Sequence, residues 1–106
     1  MKLIFAIVNR DDANAVVRNL SQQGYSSTRL ATTGGFLLSG NVTLMIGVED
    51  PQVQKVIDII KAHSHRRTQI IPNSDPGLDL DLSTPLEVTI GGATIFVVDV
   101  DRFEKV

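Results

Sequence analysis

The chain has 106 residues, of which 42% are hydrophobic and 21% charged, with a net charge of −2 and no cysteine. This length and composition are typical of one soluble globular domain. The small negative charge argues against general nucleic-acid binding, and the lack of cysteine excludes disulfides and thiolate metal sites. The N-terminal apolar run stops at Asn9 without a small-residue cleavage site. We therefore expect it to be the first strand of a cytoplasmic protein and not a signal peptide.

Residues 3–8 predict a strand that is apolar on both of its faces. Asp11 or Asp12 is expected to cap the helix that follows, because a carboxylate can accept hydrogen bonds from the first free amides. Apolar residues at helical spacing continue to a stop at Gly24. A second strand is expected at about residues 26–33.

A third strand is predicted over residues 42–48, which are mostly β-branched or apolar. Asp50 followed by Pro51 is a typical helix start, with a capping side chain and then proline in the first turn. The helix is expected to end in the run from His63 to Arg67, where positive charge suits the helix dipole.

A long surface loop is predicted at about residues 67–85, because its second part is rich in aspartate and proline and lacks periodicity. The chain closes with apolar residues at 86–90 and 93–100. Gly91 and Gly92 between them are expected to form either a tight hairpin or a bulge in one long bent strand.

This βαββαβ order predicts a single α+β domain of the ferredoxin-like fold, in which an antiparallel sheet carries two helices on one face. The first and last strands are apolar on both faces, although helices would cover only one of them. We therefore expect several copies to pack their free sheet faces together, with closed cyclic symmetry.

Residues 34–40 form a segment that is both glycine-rich and apolar. Gly34, Gly35 and Gly40 suit a turn, but residues 36–38 (Phe-Leu-Leu) would lie in water at a bare hairpin tip. A neighbouring subunit or a ligand must cover them. Paired glycines can offer amides to a phosphate, and an aromatic ring can stack on a base, so this pattern favours a nucleotide.

Three nearby residues fit the same hypothesis. Asn41 can both donate to and accept from an adenine edge, and Thr28 can bind a base or a phosphate. Gly47 interrupts an apolar strand, which often indicates the close approach of a ligand or of another backbone.

Three blocks of sequence then suggest a family: MKLIFAIV at the start, TRLATTGGFL followed by GNVTLMIGVED in the centre, and VTIGGATIFVVDVDRF near the end. Over essentially its whole length the chain resembles the PII-like receptors for the bacterial second messenger cyclic di-AMP. The resemblance implies a PII-like homotrimer with a ligand in each of three clefts between subunits. It implies a receptor and not an enzyme, without a cofactor or metal. The family's binding positions correspond to Thr28, Gly35, Phe36, Leu37, Asn41, Gly47 and Phe96.

Two positions depart from the family pattern. Family members often carry a polar side chain where this chain has Gly24, and an arginine where it has Ser26. Arg29 is the nearest cation, but an odd step along a strand turns its side chain to the opposite face. Loss of an arginine contact predicts an affinity lower by roughly tenfold or more.

Other functions remain open from the residues alone. An enzyme would have to use His63, His65 or the aspartates of the acidic loop, Asp75, Asp79 and Asp81, but no nucleophile and base are paired. The histidines do not share a helix face, and the aspartates lack the spacing of a calcium loop. A metal site is therefore not expected there.

Two alternatives keep the fold and change the ligand: an ATP-responsive PII-type regulator, and a metal-binding trimer similar to cation-tolerance proteins. Paired stacking surfaces at Phe36 and Phe96 favour a dinucleotide, since a triphosphate would need more cations. We expect the bound ligand to order the hairpin and the long acidic loop, and so to present a surface to a downstream protein.

Overall fold

The computed structural model describes residues 1–30, 40–71 and 86–106. In this part of the chain no helix is long and apolar enough to cross a membrane. The elements in chain order are β1 (Lys2–Asn9), α1 (Arg10–Gln22), β2 (Thr28–Leu30), β3 (Asn41–Val48), α2 (Val53–Ala62), β4 (Arg67–Ile71), β5 (Leu86–Ile90) and β6 (Ala93–Asp99).

The main sheet has four strands in the order β2-β3-β1-β6, and every neighbouring pair is antiparallel. With two helices between the strands, this is the predicted ferredoxin-like α+β arrangement. β4 and β5 form a separate two-stranded antiparallel ribbon, inserted between α2 and the last strand of the main sheet.

The core lies on one face of the main sheet, between the sheet and both helices. Alternate residues of β1 are fully buried there, while their neighbours Leu3, Phe5 and Ile7 are only half-buried on the other side. We call that other side the open face. The buried core residues are Ile4, Ala6, Val8, Ala13, Val16, Leu20, Leu44, Ile46, Val48, Val56 and Ile60.

The cap of α1 differs from the predicted one. Asn9, and neither Asp11 nor Asp12, is the capping residue, and its Oδ1 accepts a hydrogen bond of 2.8 Å from the amide of Asp11. Asp12 instead pairs with Arg67, with 3.1 Å between Oδ2 and Nη1. The predicted stop at Gly24 is confirmed, because α1 ends at Gln22 and Gly24 has a positive φ of 87° that favours glycine.

The chain turns into α2 at the predicted place, although its first turn is a 3₁₀ helix, Asp50–Gln52. Glu49, and not Asp50, is the capping residue of this turn. α2 ends at Ala62 with His63 as its C-cap, so the helix reaches the first residue of the predicted run. The rest of the run is not helical, and Arg67 already begins β4. Ser64 closes the helix end by donating its hydroxyl to the carbonyl of Ile60.

The predicted loop at 67–85 begins too early. Residues 67–71 are β4, paired in register with β5 from Arg67↔Ile90 to Ile71↔Leu86, and residues 72–85 lie outside the described part. Gly91 and Gly92 do not close a hairpin, because β5 pairs with β4 and β6 with β1. Both glycines have positive φ, of 83° and 79°, and carry the chain from the ribbon into the main sheet.

Candidate ligand-binding site

Four strands place one row of side chains across the open face. The register pairs Thr28 with Met45, Met45 with Phe5, and Phe5 with Phe96. Directly paired residues project from the same face of a sheet, so this row runs from one edge strand, β2, to the other, β6. At about 4.8 Å between strands, Thr28 and Phe96 are about 14 Å apart.

Asn41 and Gly47 lie on the same open face, because they are separated from Met45 by even steps along β3. All four described residues of the predicted site are therefore on one face. Asn41 and Gly47 are at opposite ends of β3, about 20 Å apart. Gly35, Phe36 and Leu37 lie outside the described residues.

A cavity of about 560 Å³ opens at one end of this face, and we call it the Thr28 cavity. Its volume is within the usual range for a small-molecule site. The C-terminal segment after β6 forms one wall, starting from the hydrogen bond of 3.2 Å between the amide of Val100 and the carbonyl of Met1. The cavity is lined by Met1, Leu3, Ser26, Thr28, Met45, Gly47, Val100, Phe103, Glu104 and Lys105.

Gly47 has an unusual environment for a glycine in the middle of a strand. Its backbone is not in the left-handed region, and a Cβ added to it would meet no atom within 4 Å. Neither the conformation nor the packing of the described chain therefore requires glycine at this position. Because Gly47 has no side chain, the Thr28 cavity is wider at this position.

Phe96 lies on the edge strand β6 and keeps 54% of its surface exposed. Val98, two residues further on the same face, is 43% exposed. An edge strand with large apolar side chains is a surface on which another chain or a flat ligand can pack.

The family model "Cyclic-di-AMP receptor" matches residues 1–106, which is the whole chain. The chain belongs to the cyclic-di-AMP receptor family. This is a family of receptors that bind cyclic di-AMP.

A solved structure has the same fold as this cyclic-di-AMP receptor family member. It is the crystal structure of a functionally unknown protein from Pediococcus pentosaceus ATCC 25745, 42% identical in sequence, with a TM-score of 0.75. The match covers 99% of this chain and 96% of that one.

The two departures from the receptor family's pattern have different structural settings. Ser26 lines the Thr28 cavity, so a longer cationic side chain at this position would reach a ligand there. Gly24 follows α1 with a φ of 87°, where any other residue is strained. Arg29 faces the opposite side, as predicted, and its Nη2 donates to Oδ1 of Asn14 at 3.0 Å.

Asn41 is separate from the Thr28 cavity within this receptor chain. It lines a second hollow of about 120 Å³, together with Arg66, Gly91 and Gly92. One chain therefore does not bring Asn41 next to Thr28 and Gly47. A ligand that contacts all three must extend along β3, or must reach Asn41 of another copy.

The acidic and basic groups near the cavity are mostly paired with one another. The N-terminal ammonium of Met1 lies 3.3 Å from Asp50 and 3.8 Å from Glu49. Lys2 donates to Asp99, which raises the pKa of Lys2 and lowers that of Asp99, chiefly through this hydrogen bond. Within the described residues no cluster of three or more histidines and carboxylates could hold a metal ion.

The sequence analysis did not predict Phe103, Glu104 or Lys105 as part of a cavity wall. The segment after β6 has no periodic pattern. It reaches the open face because the two ends of the chain lie side by side, with Val100 hydrogen-bonded to Met1. In the sequence, the aromatic residue Phe103 among charged neighbours was a signal for this segment, and the structure leaves it 64% exposed.

Proposed function

We propose that this receptor forms a homotrimer and binds cyclic di-AMP in the clefts between its subunits. The open Thr28 cavity, with Gly47 in its wall, is the observation that carries this proposal. No contact or backbone conformation among residues 1–30, 40–71 and 86–106 requires a glycine at this position, whereas the close approach of a ligand to the cavity wall would.

The positions of Thr28 and Phe96 support a cleft between two copies. They occupy opposite edges of one sheet, about 14 Å apart, with Met45 and Phe5 between them. When β6 of one copy approaches the Thr28 cavity of the next, the two residues contact one ligand from two sides. This arrangement also covers the exposed apolar side chains of β6.

In this cleft Phe96, Thr28 and Gly47 contact different parts of the ligand. The ring of Phe96 stacks on an adenine, which has a flat surface suited to an aromatic partner. The hydroxyl of Thr28 binds the base or a phosphate oxygen, and the backbone at Gly47 lies against the ligand. The family resemblance adds Gly35, Phe36, Leu37 and Asn41 to the same ligand-binding set.

The bound receptor signals to a downstream protein through the β4–β5 ribbon and the acidic segment that it carries. The ribbon joins the main sheet at Gly91 and Gly92, beside Ala93 at the start of β6. Movement of β6 toward a ligand is therefore transmitted to the ribbon through two residues. The receptor acts in the cytoplasm.

Calorimetric titration with cyclic di-AMP tests the ligand, with cyclic di-GMP and ATP as comparison ligands. We expect one molecule per subunit, with selectivity over both comparisons. A protein that responds to ATP and not to cyclic di-AMP would instead be the ATP-responsive regulator of the same fold.

Light scattering coupled to size exclusion tests the assembly. We expect a mass three times that of the 11.5 kDa chain. A monomer that binds cyclic di-AMP with the same stoichiometry would contradict the cleft and leave the ligand assignment standing.

Hydrogen exchange tests whether ligand binding is transmitted to the β4–β5 ribbon. We expect the amides of β4 and β5 to exchange more slowly in the saturated protein, because the ribbon is held when β6 is held. Equal exchange with and without ligand would show that the ribbon carries no signal.

A further inference from the structure

We propose that Lys105 binds the phosphate groups of the ligand in the Thr28 cavity and supplies the positive charge that Ser26 lacks. This assignment rests on the proposed function. It adds a residue to the site that neither the family motifs nor the alternation of the strands indicates.

The first observation is that Ser26 and Lys105 line the same cavity, together with Thr28. The segment that carries Lys105 is anchored near its start, where Val100 donates its amide to Met1. An ammonium group on a long, flexible side chain in this wall can therefore reach a ligand bound beside Thr28.

The second observation concerns the charge that remains after pairing. The ammonium of Met1 is neutralised by Asp50, at 3.3 Å, and by Glu49, at 3.8 Å. Glu104 also lines the cavity, but its carboxylate accepts hydrogen bonds from Arg102, with 2.9 Å between Oε1 and Nε.

Lys105 is different from these groups. Within the described residues no carboxylate oxygen lies within 4.0 Å of its Nζ. Arg29 cannot supply the charge, because its side chain lies on the helix side and donates to Asn14. Among the residues that the structure describes, Lys105 is thus the cation of the cavity wall that no neighbouring carboxylate compensates.

The chemistry of an ammonium group indicates which part of the ligand it binds. An ammonium group donates three hydrogen bonds and accepts none. A phosphodiester presents negatively charged oxygens, whereas an adenine edge is neutral and mixes donors with acceptors. Charge-assisted hydrogen bonds to phosphate are the stronger of the two interactions, so Lys105 pairs with phosphate.

Calorimetric titration of the full chain with cyclic di-AMP tests the assignment. Lys105→Met removes the charge and keeps the length of the side chain, and we expect affinity to fall about tenfold. Lys105→Arg keeps the charge and should bind within a few-fold of the wild type. Lys61→Met removes an exposed lysine of α2, away from the cavity, and should leave the affinity unchanged.

The same titrations at low and high salt separate charge from packing. Salt screens exposed charges, so raising it should weaken the wild type more than Lys105→Met. If Lys105→Met binds as tightly as the wild type, or is weaker with unchanged salt dependence, the assignment of Lys105 is wrong and the proposed function stands. If the wild type itself binds no cyclic di-AMP, the proposed function fails and this assignment fails with it.

Discussion

Phe5 and Phe96 face each other across β1 and β6 on the open face of the sheet, but only Phe5 has strands on both sides. Met45 flanks Phe5 on β3, whereas Phe96 lies on an edge strand and stays 54% exposed. The inner ring is therefore partly shielded by the sheet, while the outer ring is available to a partner. In a small protein such an arrangement at an edge strand favours a second copy or a ligand over solvent.

Phe96→Ala should weaken cyclic di-AMP binding by roughly tenfold or more, since stacking on a base contributes about 1–3 kcal/mol. The free energy of unfolding should change much less, because the ring is more than half exposed in the chain. Val97→Ala is the matched control, as Val97 is its neighbour on β6, is 40% exposed and faces the other way. Equal loss of binding in both variants would show that the strand matters and the ring does not.

Gly47→Val should fold at least as well as the wild type and yet bind cyclic di-AMP poorly. The backbone needs no positive φ here, and an added Cβ would meet no atom of the described residues within 4 Å. Replacing this glycine in a strand should therefore raise the free energy of unfolding by up to about 1 kcal/mol. The new side chain narrows the Thr28 cavity. Chemical denaturation measures the free energy of unfolding and calorimetry measures binding, with Thr89→Val on the ribbon as the control. Normal binding by Gly47→Val would exclude the close approach of a ligand at this position.

The fold was largely predictable because each local pattern agreed with the whole. β3 followed from its run of β-branched and apolar residues, and the change from period 2 to helical spacing marked both helices. The pairing of Arg67–Ile71 with Leu86–Ile90 was missed, since strand partners distant in sequence leave no local signal. The cap of α1 was ambiguous because Asn9, Asp11 and Asp12 are all good capping residues.

The candidate site was predictable only in part. The odd step between Ser26 and Arg29 correctly predicted that Arg29 faces away from the Thr28 cavity, which Ser26 lines. Thr28 and Gly47 share a face through the pairing of β2 with β3, which spacing along one strand does not give. The cavity wall formed by the C-terminal segment was not predictable, because it depends on how residues 100–106 return beside Met1.

Ser26→Arg should strengthen cyclic di-AMP binding by about tenfold, because a charge-assisted hydrogen bond contributes about 1.5–3 kcal/mol. Ser26 is exposed and lines the Thr28 cavity, so the longer side chain has room to extend toward a ligand. It should also restore binding to Lys105→Met if the two positions serve the same phosphate. Ser21→Arg adds the same charge on the exposed side of α1. An equal gain in affinity there would mean that the net charge of the protein, and not the position of the arginine, strengthens binding.

The ion pair between Lys2 and Asp99 predicts a small pH dependence of stability. The hydrogen bond lowers the pKa of Asp99, so its contribution is present above the pKa of the unfolded chain and is lost as the pH falls through the folded value. Lys2 has a raised pKa, so its contribution is lost only as the pH rises through that value. In Lys2→Met, an NMR titration should find the pKa of Asp99 moved up toward its ordinary value; an unchanged pKa would contradict the pair.

The ion pair between Arg67 and Asp12 should hold the β4–β5 ribbon against the body of the domain. Arg67 begins β4, Asp12 lies in the first turn of α1, and the two side chains are 32% and 12% exposed. Because Asp12 would be left partly buried without its partner, Arg67→Met should lower the free energy of unfolding by about 1–3 kcal/mol. In Arg67→Met the exchange of the ribbon amides should also accelerate more than the exchange of the β1 amides.

A double-mutant cycle with Asp12→Asn separates this pair from the other contacts of Arg67. Arg67 Nη1 also donates to the carbonyl of His65 at 3.3 Å, and it lies 2.7 Å from where a Cβ on Gly91 would be. If the ion pair provides the stabilisation, the two substitutions together should cost little more than either alone. Additive losses would mean that Arg67 instead stabilises the bend at Gly91, and Gly91→Ala should then be as damaging as Arg67→Met.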